Sequence, residues 1–185
     1  MNLLNGKQRW YNIPRRYNMR TEVKWMEKIR LRACAMIIKD GSILLIEYEN
    51  DNGDGVHYNL PAGGVEPGET FVEAVKREAK EEACVDVEVG PVAFVYEYQP
   101  TKSNYIYGDT HSVGITFECE LKSGSYPKLP QKPDPKQTDV KWIPISELHL
   151  IQLYPEINQD IVDYYNGNKY RNYVEEQEIQ QKQLR

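Results

Sequence analysis

The pattern of hydrophobic and polar residues takes on the two-residue period of a β-strand at Arg30. Small and apolar residues alternate with other side chains over 31–37, and a continuous apolar run follows over 43–46. Asp40 and Gly41 lie between the two segments, and an Asp-Gly pair favours a tight hairpin turn. The pattern therefore predicts a β-hairpin at the start of the folded domain.

A helix is predicted over residues 70–83. This segment contains no Gly or Pro and is rich in Ala, Glu and Lys, which are strong helix formers. Thr70 and Glu73 have the spacing of a capping box, in which each side chain bonds the backbone of the other residue. The helix is therefore expected to begin directly after Thr70.

The rest of the chain alternates between strand-like segments and turns. β-branched and aromatic residues predict strands, and an apolar segment that stops at Gly167 predicts a helix over 157–165. The resulting fold class is α/β (α+β). The predicted strands are 85–89, 92–98, 113–121 and 140–143.

The length and composition fit one folded domain with extensions. The chain has 185 residues, 40% hydrophobic and 28% charged, close to the average for globular proteins. We divide it into an N-terminal extension (1–29), a domain (30–167) and a polar tail (168–185), which is expected to form a solvated helix or to be disordered from Glu175. The apolar runs are too short to cross a membrane, so no membrane span is predicted. The three scattered cysteines predict a cytoplasmic location.

The N-terminal extension combines basic and aromatic residues. Residues 1–32 hold nine Lys or Arg against two Glu, whereas the whole chain has a net charge of −5. An acidic protein is a poor general binder of nucleic acid. A function in RNA end processing would therefore depend on this basic segment alone. We favour instead that the segment packs on the domain or pairs two subunits as a homodimer.

Three glutamates of the predicted helix lie on one stripe. Glu78, Glu81 and Glu82 are spaced i, i+3 and i+4, so their like charges repel one another. A divalent cation such as Mg²⁺ would compensate this repulsion, because it prefers oxygen ligands. Gly63 and Gly64 precede the helix, in a loop whose backbone can approach a ligand closely. The pattern indicates a site for a metal and a phosphate.

Residues 63–85 resemble the Nudix box, G-x5-E-x7-R-E-U-x-E-E-x-G-U, in which U is an aliphatic residue. One position departs from it, because Cys84 occupies the place of a Gly at the end of the helix. Gly suits a left-handed helix cap better than Cys does, so the helix exit is expected to differ locally. The matching residues are Gly63, Glu69, Arg77, Glu78, Ala79, Glu81, Glu82 and Val85.

This resemblance implies an α/β/α sandwich with a mixed β-sheet that hydrolyses the pyrophosphate bond of a nucleoside diphosphate linked to another moiety. It implies that Glu78, Glu81 and Glu82 bind Mg²⁺, with Mn²⁺ as the alternative, and that Glu78 also takes part in catalysis. Glu69 and Arg77 are implied to brace the loop against the helix and to orient the carboxylates. A general base outside the box is common in this family, and four candidates stay open: Glu118, Glu120, Asp134 and Asp139.

The substrate is less determined than the chemistry. Pro100 and the sequence Pro61-Ala62-Gly63 resemble the ADP-ribose pyrophosphatases of the family, which favours ADP-ribose or a nucleotide sugar. The alternatives are a nucleoside triphosphate pyrophosphatase and a non-catalytic module that senses a nucleotide. Four tyrosines are candidates to stack on a base or a sugar: Tyr96, Tyr98, Tyr105 and Tyr107.

Overall fold

The computed structural model describes residues 28–183, so the predicted extension 1–29 lies outside the described residues except for its last two. The helices are α1 (Phe71–Ala83), α2 (Asn158–Tyr165) and α3 (Glu176–Gln183), with short 3-10 helices at Pro100–Lys102 and Ile145–Leu150. The strands are β1 (Arg30–Lys39), β2 (Ser42–Glu49), β3 (Val56–Asn59), β4 (Ala62–Gly64), β5 (Val87–Tyr98), β6 (Ser112–Leu121), β7 (Gln137–Pro144) and β8 (Tyr173–Glu175).

The strands form one mixed sheet in the order β3-β2-β1-β6-β5-β8, with β4 paired to β1 and β7 paired to β2. β1 pairs with β6 in parallel, and β5 pairs with β8 in parallel. The other pairs are antiparallel. No helix within residues 28–183 is long and apolar enough to cross a membrane.

The alternation along β1 separates two hydrophobic cores. Ala33, Ala35 and Ile37 pack on one face of the sheet, in a core that includes the buried side of α1. Met36 belongs to the core on the other face, together with Ile161 of α2. A sheet with helices on both faces is an α/β/α sandwich, so the predicted fold class is confirmed.

The hairpin and the first helix form as their sequences predict. Asp40 and Gly41 adopt φ values of 49° and 74° between β1 and β2, as a type I′ turn requires. Thr70 caps α1, and its side chain and that of Glu73 complete a capping box. The backbone N–H of Thr70 donates to the Glu73 carboxylate at 2.8 Å.

The exit of α1 is left-handed in spite of its cysteine. Cys84 adopts φ 58° and ψ 26°, so the expected local departure from the Gly-type exit does not occur. Its backbone N–H bonds to carbonyl oxygens of the last turn, including that of Lys80 at 3.1 Å. These bonds hold a residue with a Cβ in a conformation that suits glycine better.

Replacing Cys84 with Gly should therefore raise the free energy of unfolding by about 0.5–1 kcal/mol, because glycine adopts this conformation without strain. Urea unfolding followed by circular dichroism measures the change. Cys84→Ala is the matched control, since alanine keeps the strain and should not gain stability. A Gly variant less stable than the Ala variant would contradict this account.

The C-terminal tail forms a helix, which is one of its two expectations, but this helix is not fully solvated. Strand β8 precedes helix α3. Val174 is 0% exposed and Ile179 is 7% exposed, and both belong to the core that contains Ile161. The sequence does not reveal that this segment packs on the core, because the segment is predominantly polar and only a few of its side chains face the core.

Candidate functional site

Glu82 lies buried near the C-terminal end of α1. One carboxylate oxygen accepts a hydrogen bond from the backbone N–H of Ala62 at 2.9 Å, and the other accepts one from the Tyr48 hydroxyl at 3.2 Å. Burial raises the pKa of Glu82 to about 7, although the bond from Ala62 opposes the shift. The protein thus holds a buried acid that ionises near neutral pH.

Glu78 lies one helical turn earlier and contacts the loop that precedes the helix. Its side chain is 10% exposed, and burial raises its pKa although Arg77 donates to it at 2.6 Å. A Cβ atom on Gly63 would lie only 1.9 Å from Glu78 Oε1. Glycine at position 63 therefore makes the space that the Glu78 carboxylate occupies.

Arg77 ties this loop to the helix. Its guanidinium donates two hydrogen bonds of 2.9 Å to the two carboxylate oxygens of Glu69, a fork-to-fork pair. It also donates to the backbone carbonyl of Gly64 at 2.9 Å. The bonds from Arg77 lower the pKa of Glu69. One side chain thus holds together the loop, the helix and the Glu78 carboxylate.

Glu81 does not join the two buried carboxylates. Its side chain is 60% exposed and accepts a hydrogen bond from Arg77 at 3.1 Å. Within residues 28–183, no three acidic, histidine or cysteine side chains converge into a ready metal cluster. Of the three proposed metal ligands, the structure brings Glu78 and Glu82 into one cavity, whereas Glu81 does not line it.

Asp134 is the one of the four proposed bases that lines this cavity of about 250 Å³. Its loop is fixed to the end of α1 by Gln137, whose amide donates to the backbone carbonyl of Glu82 at 2.7 Å. The backbone N–H of Asp134 donates to the Gln137 side chain at 3.2 Å. Asp134 itself is exposed, so its carboxylate can exchange protons with water.

The other three candidate bases lie elsewhere. Glu118 accepts a hydrogen bond from the Tyr164 hydroxyl at 2.6 Å. Glu120 is exposed on β6 and is paired with Glu88 of β5. Asp139 lies 3.9 Å from the ammonium group of Lys141 on β7. None of the three lines the cavity that contains Glu78 and Glu82.

Arg30 and Arg32 also line the acidic cavity, and the sequence analysis did not select them. The two residues are spaced i, i+2 on β1, so both side chains lie on the same face of the strand. Arg32 donates to the backbone carbonyl of Ala62 at 3.1 Å. Two guanidinium groups beside two carboxylates can bind a phosphate next to a cation. The alternation along β1, together with the positive charge of residues 1–32, was the signal in the sequence that could have identified these two arginines.

An aromatic cavity of about 360 Å³ adjoins the acidic one. The two cavities share Arg30, Arg32 and Asn59. Within the described residues, the side-chain oxygen of Asn59 is a buried atom that has no hydrogen-bond partner in the protein. Three of the four proposed tyrosines line this cavity, namely Tyr96, Tyr98 and Tyr107. The fourth, Tyr105, is 56% exposed outside it.

A third, open cavity lies beside these two, between the β2–β3 hairpin loop and the loop that follows β5. It shares His57, Tyr107 and Tyr154 with the aromatic cavity and Tyr48 with the acidic cavity. Its hairpin side is polar and consists of residues 49–52 and 54. The three adjoining cavities can hold a ligand that has an aromatic end, a charged centre and a polar end.

This combination of fold and site is that of a Nudix hydrolase. The family model of the NUDIX domain matches residues 28–165, well over half of the chain, so the protein belongs to the Nudix family. The chain is 35% identical over 98 residues to the nucleoside triphosphatase NudI of Escherichia coli, a match that covers 49% of this chain and 67% of that protein.

Three further matches have lower sequence identity. The chain is 28% identical over 143 residues to the 8-oxo-dGDP phosphatase NUDT18 of Homo sapiens, covering 71% of this chain but only 42% of that protein. A NUDIX hydrolase structure from Nitrosomonas europaea has 27% identity and a TM-score of 0.60, covering 78% of this chain and 93% of its own. An ADP-ribose pyrophosphatase structure from Streptococcus suis has 19% identity and a TM-score of 0.55, covering 80% and 99%, and it shows similarity of fold alone.

Nudix hydrolases generally use divalent metals, and the side chains of the acidic cavity fit such an ion. Glu78 and Glu82 supply carboxylate oxygens, which hard divalent cations prefer. Burial raises the pKa of both groups. Glu78 has the guanidinium of Arg77 as a partner, whereas the hydrogen bonds to Glu82 come from uncharged donors, so the ionised form of Glu82 lacks a paired positive charge. A cation would supply that charge.

The raised pKa of Glu82 predicts how the binding of a divalent cation would depend on pH, with Mg²⁺ as the test ion. Below a pKa of about 7 the carboxylate holds a proton that the cation must displace. The Mg²⁺ affinity should therefore rise up to about tenfold per pH unit towards pH 7 and level off above about pH 8. Isothermal titration calorimetry with Mg²⁺ measures this. Glu82→Gln should remove most of the dependence, and a flat profile for the wild type would contradict the prediction.

The same group predicts the pH dependence of stability without metal. The unfolded chain ionises Glu82 near the ordinary pKa of 4.5, whereas the folded chain keeps the proton until about pH 7. The folded state therefore binds more protons between these values. The contribution of Glu82 to stability should fall as the pH rises through this range. Urea unfolding of the wild type and of Glu82→Gln, both in EDTA and across this pH range, measures the contribution of Glu82.

Proposed function

We propose that this Nudix hydrolase cleaves the pyrophosphate bond of a nucleoside diphosphate linked to another moiety, with ADP-ribose or a nucleotide sugar as the favoured substrate and Mg²⁺ as the cofactor. The observation that carries the proposal is the sharing of Arg30 and Arg32 between the aromatic and acidic cavities. A base in the first cavity would place its phosphates beside the carboxylates of the second. The open polar cavity offers room for the second moiety.

Each part of the proposed site has a separate role. Glu78 and Glu82, together with the exposed Glu81, would hold Mg²⁺, which would neutralise the diphosphate and lower the pKa of a bound water. Arg30 and Arg32 contact the phosphate oxygens. Arg77 keeps the Glu78 carboxylate in place through the bonds described above.

Asp134 is the general base that the geometry favours. It lines the acidic cavity together with Glu78 and Glu82, and its exposed carboxylate can accept the proton of the attacking water. Gln137 fixes the Asp134 loop to α1, which keeps the base near the carboxylates. Glu118, Glu120 and Asp139 lack this placement.

A nucleoside triphosphate pyrophosphatase is the second candidate. It is supported by the 35% identity to a protein named as a nucleoside triphosphatase, which covers 67% of that protein. The match to a protein named as an 8-oxo-dGDP phosphatase adds nucleoside diphosphates to the substrates worth testing. Three acidic residues line the open cavity, at 49, 51 and 54, against one lysine, Lys136, which pairs with Asp51. This net negative charge disfavours a charged terminal phosphate there and favours a neutral sugar.

A substrate panel tests the proposal. The purified chain is incubated with ADP-ribose, UDP-glucose, ATP, 8-oxo-dGDP and a dinucleoside polyphosphate, each with Mg²⁺ and with EDTA, and the products are separated by chromatography. We expect ADP-ribose to give AMP and ribose 5-phosphate only with Mg²⁺. Pyrophosphate released chiefly from ATP would select the second candidate. Binding without turnover of any compound would instead favour a sensing module.

Several sequence predictions remain proposals beside this function. The division into an extension over 1–29, a domain over 30–167 and a tail over 168–185 is one of them. A cytoplasmic location, a homodimer and the absence of an RNA substrate are the others. Sedimentation of the full chain, and of a chain that begins at residue 26, measures whether the extension pairs two subunits.

A further inference from the structure

The C-terminal segment 171–180 lies outside the part of the chain that the family model matches, which ends at residue 165. Its strand β8 extends the sheet in parallel beside β5 and places Val174 opposite Tyr96. Arg171 and Asp160 of α2 form an ion pair, and Asp160 is buried. The segment is therefore fixed to the domain at both its strand and its ion pair.

This segment contacts the aromatic cavity through one hydrogen bond. Glu176, the first residue of α3, is 2% exposed and accepts a bond from the Tyr96 hydroxyl at 2.6 Å. Burial raises the pKa of Glu176, although the bond from Tyr96 opposes the shift. Tyr96 is also one of the residues that line the aromatic cavity. A buried carboxylate that the family-matched region does not contain thus holds one wall of this cavity.

The neighbouring tyrosine is held differently. Tyr98 donates to the backbone carbonyl of Gly108 at 2.6 Å and accepts from the backbone N–H of Tyr107 at 3.2 Å. Both of these partners lie inside the family-matched region. Tyr96 thus differs from Tyr98 in that its hydroxyl bonds to the C-terminal segment.

We propose that Glu176 is a positioning residue of the nucleotide site, and that it holds the Tyr96 ring where a nucleobase packs against it. The C-terminal segment is then part of the substrate site. This proposal rests on the proposed function, because it assumes that the aromatic cavity receives the base. Glu176 touches no reacting atom, so its loss should weaken substrate binding and leave the chemical step unchanged.

Kinetics of single variants separate these effects. Glu176→Ala and Tyr96→Phe should each raise KM for ADP-ribose about tenfold and leave kcat within about twofold, because each removes one buried hydrogen bond. Glu176→Gln should restore most of the affinity, since its amide oxygen can accept the same bond. Glu178→Ala, which removes the same charge from an exposed position of α3, should behave as the wild type.

The double variant Tyr96→Phe with Glu176→Ala tests whether the two residues act through one another. Its KM should match that of the single variants and should not reach the product of their effects. Independent effects that multiply would overturn the proposal. A Glu176→Ala variant that lowers kcat and leaves KM unchanged would overturn it as well.

Two further measurements do not require turnover, so they separate this proposal from the proposed function. Crystal structures of the wild type and Glu176→Ala should show the Tyr96 ring displaced in the variant, and calorimetry with AMP in EDTA should show about tenfold weaker binding. An unmoved ring with unchanged AMP affinity would overturn the proposal, whatever the enzyme hydrolyses. Glu176→Gln and Tyr96→Phe keep the test available if Glu176→Ala fails to fold.

Discussion

Replacing Glu82 with Gln is expected to lower Mg²⁺-dependent turnover by at least about a hundredfold, because the site loses one of its two buried anionic groups. The amide keeps the size of the side chain and can still accept the hydrogen bond from the backbone of Ala62. The fold should therefore survive. Single-turnover hydrolysis of ADP-ribose, measured across Mg²⁺ concentrations, gives both the rate and the metal affinity.

Glu120→Gln is the matched control for this variant. It removes the same charge from an exposed residue outside the acidic cavity, and its turnover should match that of the wild type. The metal-free Glu82→Gln protein should also be more stable than the wild type at pH 8, by on the order of 1–3 kcal/mol, because it no longer buries an ionised carboxylate. If Glu82→Gln turned over substrate at the wild-type rate, Glu82 could not be a ligand of the proposed metal site.

The second large effect is expected for Gly63→Ala. The added Cβ would lie 1.9 Å from Glu78 Oε1 and 2.2 Å from its carboxyl carbon, so the carboxylate must leave its place. The end of a glutamate side chain moves more easily than backbone, and the fold should persist. Turnover should fall by about a hundredfold, because a displaced carboxylate no longer serves the site.

Gly64→Ala is the matched control for Gly63→Ala. A Cβ on Gly64 would meet the Arg30 guanidinium at 3.5 Å, which is an ordinary contact. We therefore expect this variant to lose less than about tenfold in turnover. Thermal unfolding of both variants checks that the folds are intact. Equal losses in the two variants would show that this loop is sensitive to any side chain and would contradict the specific role of Gly63.

Local sequence signals predicted the elements on which the site is built. The capping box at Thr70 fixed the start of α1, and the Asp40-Gly41 pair fixed the hairpin turn. Both depend on contacts between residues close in sequence, so a short window contains the information. The spacing of the glutamates likewise placed Glu78 and Glu82 on one side of the helix.

Contacts between distant residues account for what the sequence did not reveal. Asp134 reaches the acidic cavity because Gln137 bonds the backbone carbonyl of Glu82, 55 positions earlier. Tyr96 and Glu176 are separated by 80 positions. No periodicity along the chain records such pairings. The strand alternation places Arg30 and Arg32 on one face of β1, but the pairing of β4 with β1 is what brings Arg32 beside the loop of the site.

The Cys84 position shows a limit of motif matching. The departure from the family pattern suggested a different helix exit, yet the backbone adopts the left-handed conformation that a glycine would take there. The hydrogen bonds at the end of the helix hold this conformation, although it is strained for a residue that has a Cβ atom. A motif residue can therefore change without a change in the geometry that it marks.

The parallel pairing of β1 with β6 has a consequence for how the protein is made. It joins Arg30 to Ser112 and Ile37 to Cys119, so its partners are about 80 residues apart in the chain. In such a pairing, a long loop must close, at a cost in chain entropy, before the stabilising contacts can form. This slows folding. During synthesis, β1 must wait for most of the domain to leave the ribosome before it finds its neighbour. Until then, the apolar side chains of the first hairpin stay exposed to other partners.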